Sequence, residues 1–157
     1  MPVTENALAR FELKSVKGPW REIKLSNQNL TGSIPFDSVC KLLSLEKLSL
    51  GFNSLYGRVI DELKNCTGLK YLDLGNNFFS GSFPEISSIS RLLYLSANQS
   101  GFSGSFPWNS LENMKNLAML SLDDNPSDQT EFTPVIVKLT KLNWLYLSNY
   151  SNEGKIP

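Results

Sequence analysis

The stretch Leu69-Lys-Tyr-Leu72-Asp-Leu74-Gly-Asn-Asn77-Phe-Phe79-Ser-Gly81-Ser-Phe83-Pro84 decides the fold of this chain. Leu72 and Leu74 alternate with polar neighbours, the period of a short strand buried on one face. Asn77 follows where such a strand must turn, and Gly81 with Pro84 shapes the exit. The same spacing recurs five more times, with first positions at Trp20, Leu45, Leu69, Leu92, Leu117 and Leu142. The intervals are therefore 25, 24, 23, 25 and 25 residues. A unit this short cannot bury its own apolar face, so copies must stack, and the chain reads as a solenoid.

Working outward from that stretch, one strand per repeat gives a parallel concave sheet. Ile23/Leu25, Leu48/Leu50, Leu72/Leu74, Leu95/Ala97, Leu120/Leu122 and Leu145/Leu147 are its inward pairs. Strands ~4.8 Å apart make a strip on the order of 25 Å long. The return path carries a second apolar pair at i and i+3: Val39/Leu42, Leu63/Cys66, Ile86/Ile89, Leu111/Met114 and Ile136/Leu139. That spacing suits short 3₁₀ or helical turns on the convex side. Asn53, Asn77 and Asn125 hold the turn position, where an amide offers both donors and an acceptor to buried backbone. Gln28, Ser100 and Tyr150 stand there in the other units, so the ladder is expected to be sound in the middle and compromised at both ends. Residues 126–134 have no Leu or Gly in register and read as the one irregular loop in the array.

Composition narrows the function. Lys plus Arg and Asp plus Glu number 15 each, so no net charge draws the chain to nucleic acid or an anionic membrane. There is no His, which removes the commonest general base and metal ligand. No catalytic residue, metal site or cofactor is expected. No apolar run approaches the ~18 residues of a membrane helix, so direct membrane insertion by this chain is not expected, and the first residues do not form a secretory signal.

The two cysteines occupy different phases. Cys66 stands three before Leu69, an apolar register shared with Leu42, Ile89, Met114 and Leu139. Cys40 stands five before Leu45, the phase of Lys64 and Ser87. Different phases argue for two free thiols rather than a disulfide.

The repeat with its Gly-x-Ile-Pro tail (Gly32-Ser-Ile34-Pro35, Gly154-Lys-Ile156-Pro157) resembles the plant leucine-rich repeat. The blocks Phe36-Asp-Ser-Val-Cys40, Leu45-Glu-Lys-Leu-Ser-Leu-Gly-Phe-Asn53, Leu63-Lys-Asn-Cys-Thr67, Leu69-Lys-Tyr-Leu-Asp-Leu-Gly-Asn-Asn77 and Lys141-Leu-Asn-Trp-Leu-Tyr-Leu-Ser148 look like ectodomains of plant receptor-like kinases of the HAESA/HAIKU-like, peptide-sensing branch. The resemblance covers residues 20–157. It implies an α/β leucine-rich-repeat right-handed solenoid of six repeats and a secreted ligand-sensing region. It also implies a peptide or protein ligand, a co-receptor, and a Ser/Thr kinase elsewhere in the full receptor. Residues 1–19 read as the remnant of an N-terminal cap helix, with Leu8 and Phe11 on one face, and a linker. The Cys-containing hairpin of the family is missing there, and the sequence stops at Ile156-Pro157, the end of a repeat, without a polar cap, so the chain is expected to be the truncated amino-terminal part of such a receptor. A soluble inhibitor or adaptor, or a fragment without function, are the alternatives.

Outward strand positions form columns. One reads Glu22, Lys47, Tyr71, Tyr94, Met119, Trp144, and the next Lys24, Ser49, Asp73, Ser96, Ser121, Tyr146. Aromatic groups among small polar ones suit peptide contact, making Tyr71, Asp73, Tyr94, Met119, Trp144 and Tyr146 the candidate ligand-binding residues. Plain cross-strand pairing is the competing explanation. Asp123 and Asp124 could meet a basic peptide group or simply form a solvated turn. Sequons at Asn29, Asn65, Asn98 and Asn149 are conditional glycosylation sites.

Overall fold

The computed structural model describes residues 19–128, 130–131, 134–149 and 152–153. The proposed cap helix, Tyr150 and the final Gly-Lys-Ile-Pro lie outside the described residues. Six three-residue strands form the concave sheet: β1 (Glu22–Lys24), β3 (Lys47–Ser49), β5 (Tyr71–Asp73), β7 (Tyr94–Ser96), β8 (Met119–Ser121) and β10 (Trp144–Tyr146). They pair in chain order, all parallel. The register places Glu22 beside Lys47, Tyr71 beside Tyr94, Tyr94 beside Met119 and Met119 beside Trp144. The period-2 pattern does this: Leu48, Leu72, Leu95 and Leu120 are buried beneath the sheet while Lys47, Tyr71, Tyr94 and Met119 before them are half-buried on its concave side. A leucine-rich-repeat solenoid is the result.

The convex return uses short helical turns. They are α1 (Phe36–Val39), 3₁₀ turns at Asp61–Asn65 and Trp108–Leu111, and α2 (Val135–Lys138). The i and i+3 spacing buries Leu63 with Cys66, Ile86 with Ile89 and Leu111 with Met114 at 4 % exposure or less.

Between these faces runs a second sheet that the leucine spacing did not reveal. β2 (Thr31–Gly32), β4 (Ser54–Arg58) and β6 (Phe78–Ser80) pair in parallel. Further along, β9 (Thr130–Glu131) pairs with β11 (Asn152–Glu153). Behind them Phe79, Phe83, Phe102, Phe106 and Trp108 form a line of ring contacts at 5.0–5.6 Å between centroids. Aromatic pairs of this kind add about 0.5–1.5 kcal/mol each beyond their burial.

Three expectations need correction. Cys40 and Cys66 are joined in a disulfide, with Cα atoms 4.5 Å apart, and both are buried. Each ends the convex turn of its coil, Cys40 after α1 and Cys66 after the 3₁₀ turn. The two turns differ in type and length, so counting back from the following strand misaligned residues that are neighbours in space. Residues 126–134 do not run as a free loop where described. Ser127 bridges Gly104, and β9 follows, paired with β11 in a separate two-stranded ladder, because backbone pairing does not need Leu and Gly in register. Leu145, expected to point inward, is 36 % exposed. It lies within the edge strand β10, so no following coil among the described residues covers it.

Candidate functional site

The concave strip is built by strand register. Tyr71 and Tyr94, side by side on β5 and β7, stack with centroids 4.1 Å apart and planes 7° from parallel. The Lys47 ammonium sits over the Tyr71 ring, 4.1 Å from its centroid. Tyr71 is thus flanked by a cation and a ring, and burial, then the Tyr94 hydroxyl beside it, pushes its phenol well above the ordinary range. Lys47 stood in the same column but was not singled out. Its position one strand before an aromatic was the available signal.

Further along, Trp144 and Tyr146 stand on the edge strand β10, which no following coil among the described residues covers. Trp144 is 54 % and Tyr146 47 % exposed, whereas Met119 is half-buried. Tyr71 and Tyr94 therefore spend one face each on one another, while the Trp144 and Tyr146 side chains face outward.

The second column rests on glycines. A Cβ at Gly51 would lie 2.6 Å from Asp73 Oδ2, and one at Gly75 would lie 2.5 Å from Asn98 Oδ1. Absence of those methyls lets Asp73 and Asn98 lie flat over the strand ends before them. The Gly75 N–H donates to Asp73 Oδ1 at 3.0 Å. Burial raises the Asp73 carboxyl above its ordinary value, against the pull of the Gly75 N–H, the Ser96 hydroxyl and Lys47. The Ser96 hydroxyl donates to Asn98 Oδ1 at 2.8 Å, and Ser121 to Asp123 Oδ2 at 2.9 Å.

The charges divide along the strip. Over the first three coils basic and acidic groups alternate: Arg21 and Lys70 both pair with Glu46, and Lys24 pairs with Glu22. The hydrogen bond from Lys70 holds the Glu46 carboxyl below its ordinary range. Over the next three coils one edge is apolar (Leu93, Ala118, Met119, Trp144) and the other carries the oxygens of Asn98, Asp123 and Asp124, with Ser96 and Ser121 buried and bonded to the first two.

At the turn, three amides sew the coils together. Asn53 Nδ2 donates to Leu25, Leu50 and Gly51 carbonyls, and its Oδ1 accepts from the Gln28 and Leu30 N–H groups. Asn77 bonds Leu50, Leu74, Gly75 and the Leu55 N–H, and Asn125 repeats the pattern on Ala97, Leu122, Asp123, Ser100 and Phe102. Ser100 supplies only a single O–H donor, within reach of the Leu74 and Asn98 carbonyls. Gln28 turns out to solvent. The residue before each of these is left-handed: Asn27, Phe52, Asn76, Gln99, Asp124 and Asn149, with φ of 47–56°. Among the sequons, Asn29 and Asn65 are exposed, Asn98 is half-buried on the strip, and Asn149 donates to Asp124. Among the described residues no cluster of three or more His, Cys, Asp or Glu could hold a metal, and no helix is long and apolar enough to cross a membrane.

Stacked parallel coils, an asparagine ladder and an open concave strip define this class: the chain belongs to the leucine-rich-repeat ectodomains of plant receptor-like kinases. Residues 44–66 and 68–88 match the Leucine Rich Repeat family model. Among its relatives, Receptor-like protein kinase 7 of Arabidopsis thaliana is 64 % identical over 142 residues, covering 90 % of this chain and 14 % of that protein. Receptor-like protein kinase HAIKU2 of the same plant is 53 % identical over 124 residues, covering 79 % and 12 %. The chain therefore spans about one seventh of the length of these relatives. Among solved structures, the HAESA ectodomain of Arabidopsis in complex with an N-terminally extended IDA peptide hormone superposes with TM-score 0.78 at 31 % identity. That match covers 87 % of this chain and 22 % of that one. The SOBIR1 ectodomain of Arabidopsis thaliana matches with TM-score 0.76 at 32 % identity, covering 84 % and 72 %. The described fold is similar to the extracellular ligand-binding regions of such receptors.

Proposed function

We propose that this chain is a non-catalytic peptide- or protein-binding module, part of the extracellular ligand-sensing region of a plant receptor-like Ser/Thr kinase. The observation that carries this is the two-edged concave strip over the last three coils. An extended peptide presents side chains alternately to two sides. Laid along the strip, it would set apolar groups against Leu93, Met119 and Trp144 and basic groups against Asp123 and Asp124. Tyr146 and Tyr94 supply amphipathic contact area with few rotors to immobilise. Asp73 lies at the junction, and Tyr71 acts by holding Tyr94 in place. The HAESA structure that holds the hormone IDA and the co-receptor SERK1 makes a co-receptor a second proposed partner.

The test is selection of random 12-residue peptides displayed on phage against the immobilised chain. The expected pool is enriched in Lys or Arg interleaved with apolar residues, and Trp144→Ala or Asp123→Asn should abolish that enrichment. A pool without charge preference, or one unaffected by both variants, would sink this reading.

A further inference from the structure

Four asparagines satisfy the same three-residue glycosylation motif, yet the fold treats them differently. Asn29 leads into β2 on the lateral flank and is exposed, as is Thr31. Asn65 closes the 3₁₀ turn Asp61–Asn65 on the convex side, and it and Thr67 are both exposed. Neither amide makes a hydrogen bond among the described residues. Asn98 is the opposite case. Its Oδ1 receives the Ser96 hydroxyl and lies over the Gly75 backbone. The third residue of its motif, Ser100, is fully buried and donates to the Leu74 and Asn98 carbonyls at 2.8 and 3.0 Å.

We propose that Asn29 and Asn65 are N-glycosylation sites of this chain and that Asn98 stays bare in the folded, exported protein. The proposal rests on the extracellular reading above. The reagent is an oligosaccharide carried on a polyprenyl diphosphate. The asparagine Nδ2 forms a bond to the anomeric carbon, the carbon–oxygen bond to the diphosphate breaks, and the amide proton leaves with the diphosphate. Sugar is attached to the chain as it enters the secretory route, so folded geometry acts afterwards. At Asn29 and Asn65 a bulky polar group projects into water without disturbing any bond. At Asn98 it would be lodged on the half-buried amide that covers Gly75. That coil could not seat against its neighbour, and such molecules would be retained. The consequence is a receptor surface shielded on its lateral and convex sides, with the concave strip left open for a partner.

The experiment is secretion of the whole chain behind an added signal peptide in plant cells. Sites are then mapped by enzymatic removal of the glycans in ¹⁸O water and mass spectrometry, on the secreted and the microsomal pools separately. Expected are ¹⁸O-marked Asn29 and Asn65 in most molecules of both pools, and an unmarked Asn98 in the secreted pool. Asn29→Gln and Asn65→Gln should each remove one glycan step from the microsomal chain, a readout that does not depend on folding. Asn29 or Asn65 bare in most microsomal chains, or Asn98 marked in most secreted ones, would overturn the proposal. Because the signal peptide is supplied, a failure here condemns the site assignment and leaves the binding reading to its own peptide test.

Discussion

Tyr71 and Tyr94 lie face to face on adjacent strands, with the Lys47 ammonium closing the far side of Tyr71. The pair is first a cross-strand brace between coils three and four, as aromatic neighbours in a sheet commonly are. Tyr94→Ala should cost about 1–2 kcal/mol, the stack together with lost burial. A double-mutant cycle with Tyr71→Ala, read by urea denaturation, should show a coupling of about 1 kcal/mol. Additive losses would mean that the rings share space but no energy.

The buried Asp73 carboxyl is raised above its unfolded value. Between those two values the folded state holds a proton that the unfolded state has released. Its contribution is therefore favourable below the carboxylate range and lost as pH rises through it. Asp73→Asn keeps an oxygen for the Gly75 N–H and removes the charge. The variant should gain stability on wild type as pH rises from about 4 to about 7, by less than about 1 kcal/mol. Urea titrations at the two pH values would show it, and a constant difference between the proteins would refute it.

Asn77 satisfies three carbonyls and one N–H across two coils. Asn77→Ala strands these groups in the core and should cost about 3–5 kcal/mol. Asn77→Ser should lose roughly half as much, because a hydroxyl still offers one donor within reach of two carbonyls, as Ser100 does. Equal losses for the two variants in chemical denaturation would contradict this account of the ladder.

The disulfide joins residues 26 apart and so pins one coil to the next. Closing a loop of that length in the unfolded chain is worth about 3 kcal/mol. A Cys40→Ser, Cys66→Ser double variant should lose about that much. It should also match the stability of the reduced wild-type chain, measured in denaturant with and without reductant.

Much of this molecule was legible because its chemistry is periodic. The alternation of Leu48 and Leu50, repeated through Leu120 and Leu122, could satisfy only a stack of parallel strands buried on one side. The same register put Tyr71, Tyr94, Met119 and Trp144 in one column before any coordinate was known. What escaped was whatever depends on distance across coils rather than along the chain. The second sheet is held by backbone groups of residues as different as Tyr56 and Phe78, and backbone carries no side-chain signal. The Cys40–Cys66 bond was missed because α1 and the following 3₁₀ turn advance the chain differently, so sequence phase and spatial phase part company there. The candidate strip was half legible: the column was in the sequence, but which of its aromatics are already engaged was not. By itself, then, the sequence determined a leucine-rich solenoid and the face it would present, since burial of a repeating apolar pattern admits no other arrangement. Only the tertiary structure decided that Tyr71 is enclosed between Lys47 and Tyr94, and that Asp73 lies over Gly51. Those outcomes turn on ångström-scale contacts between neighbouring coils.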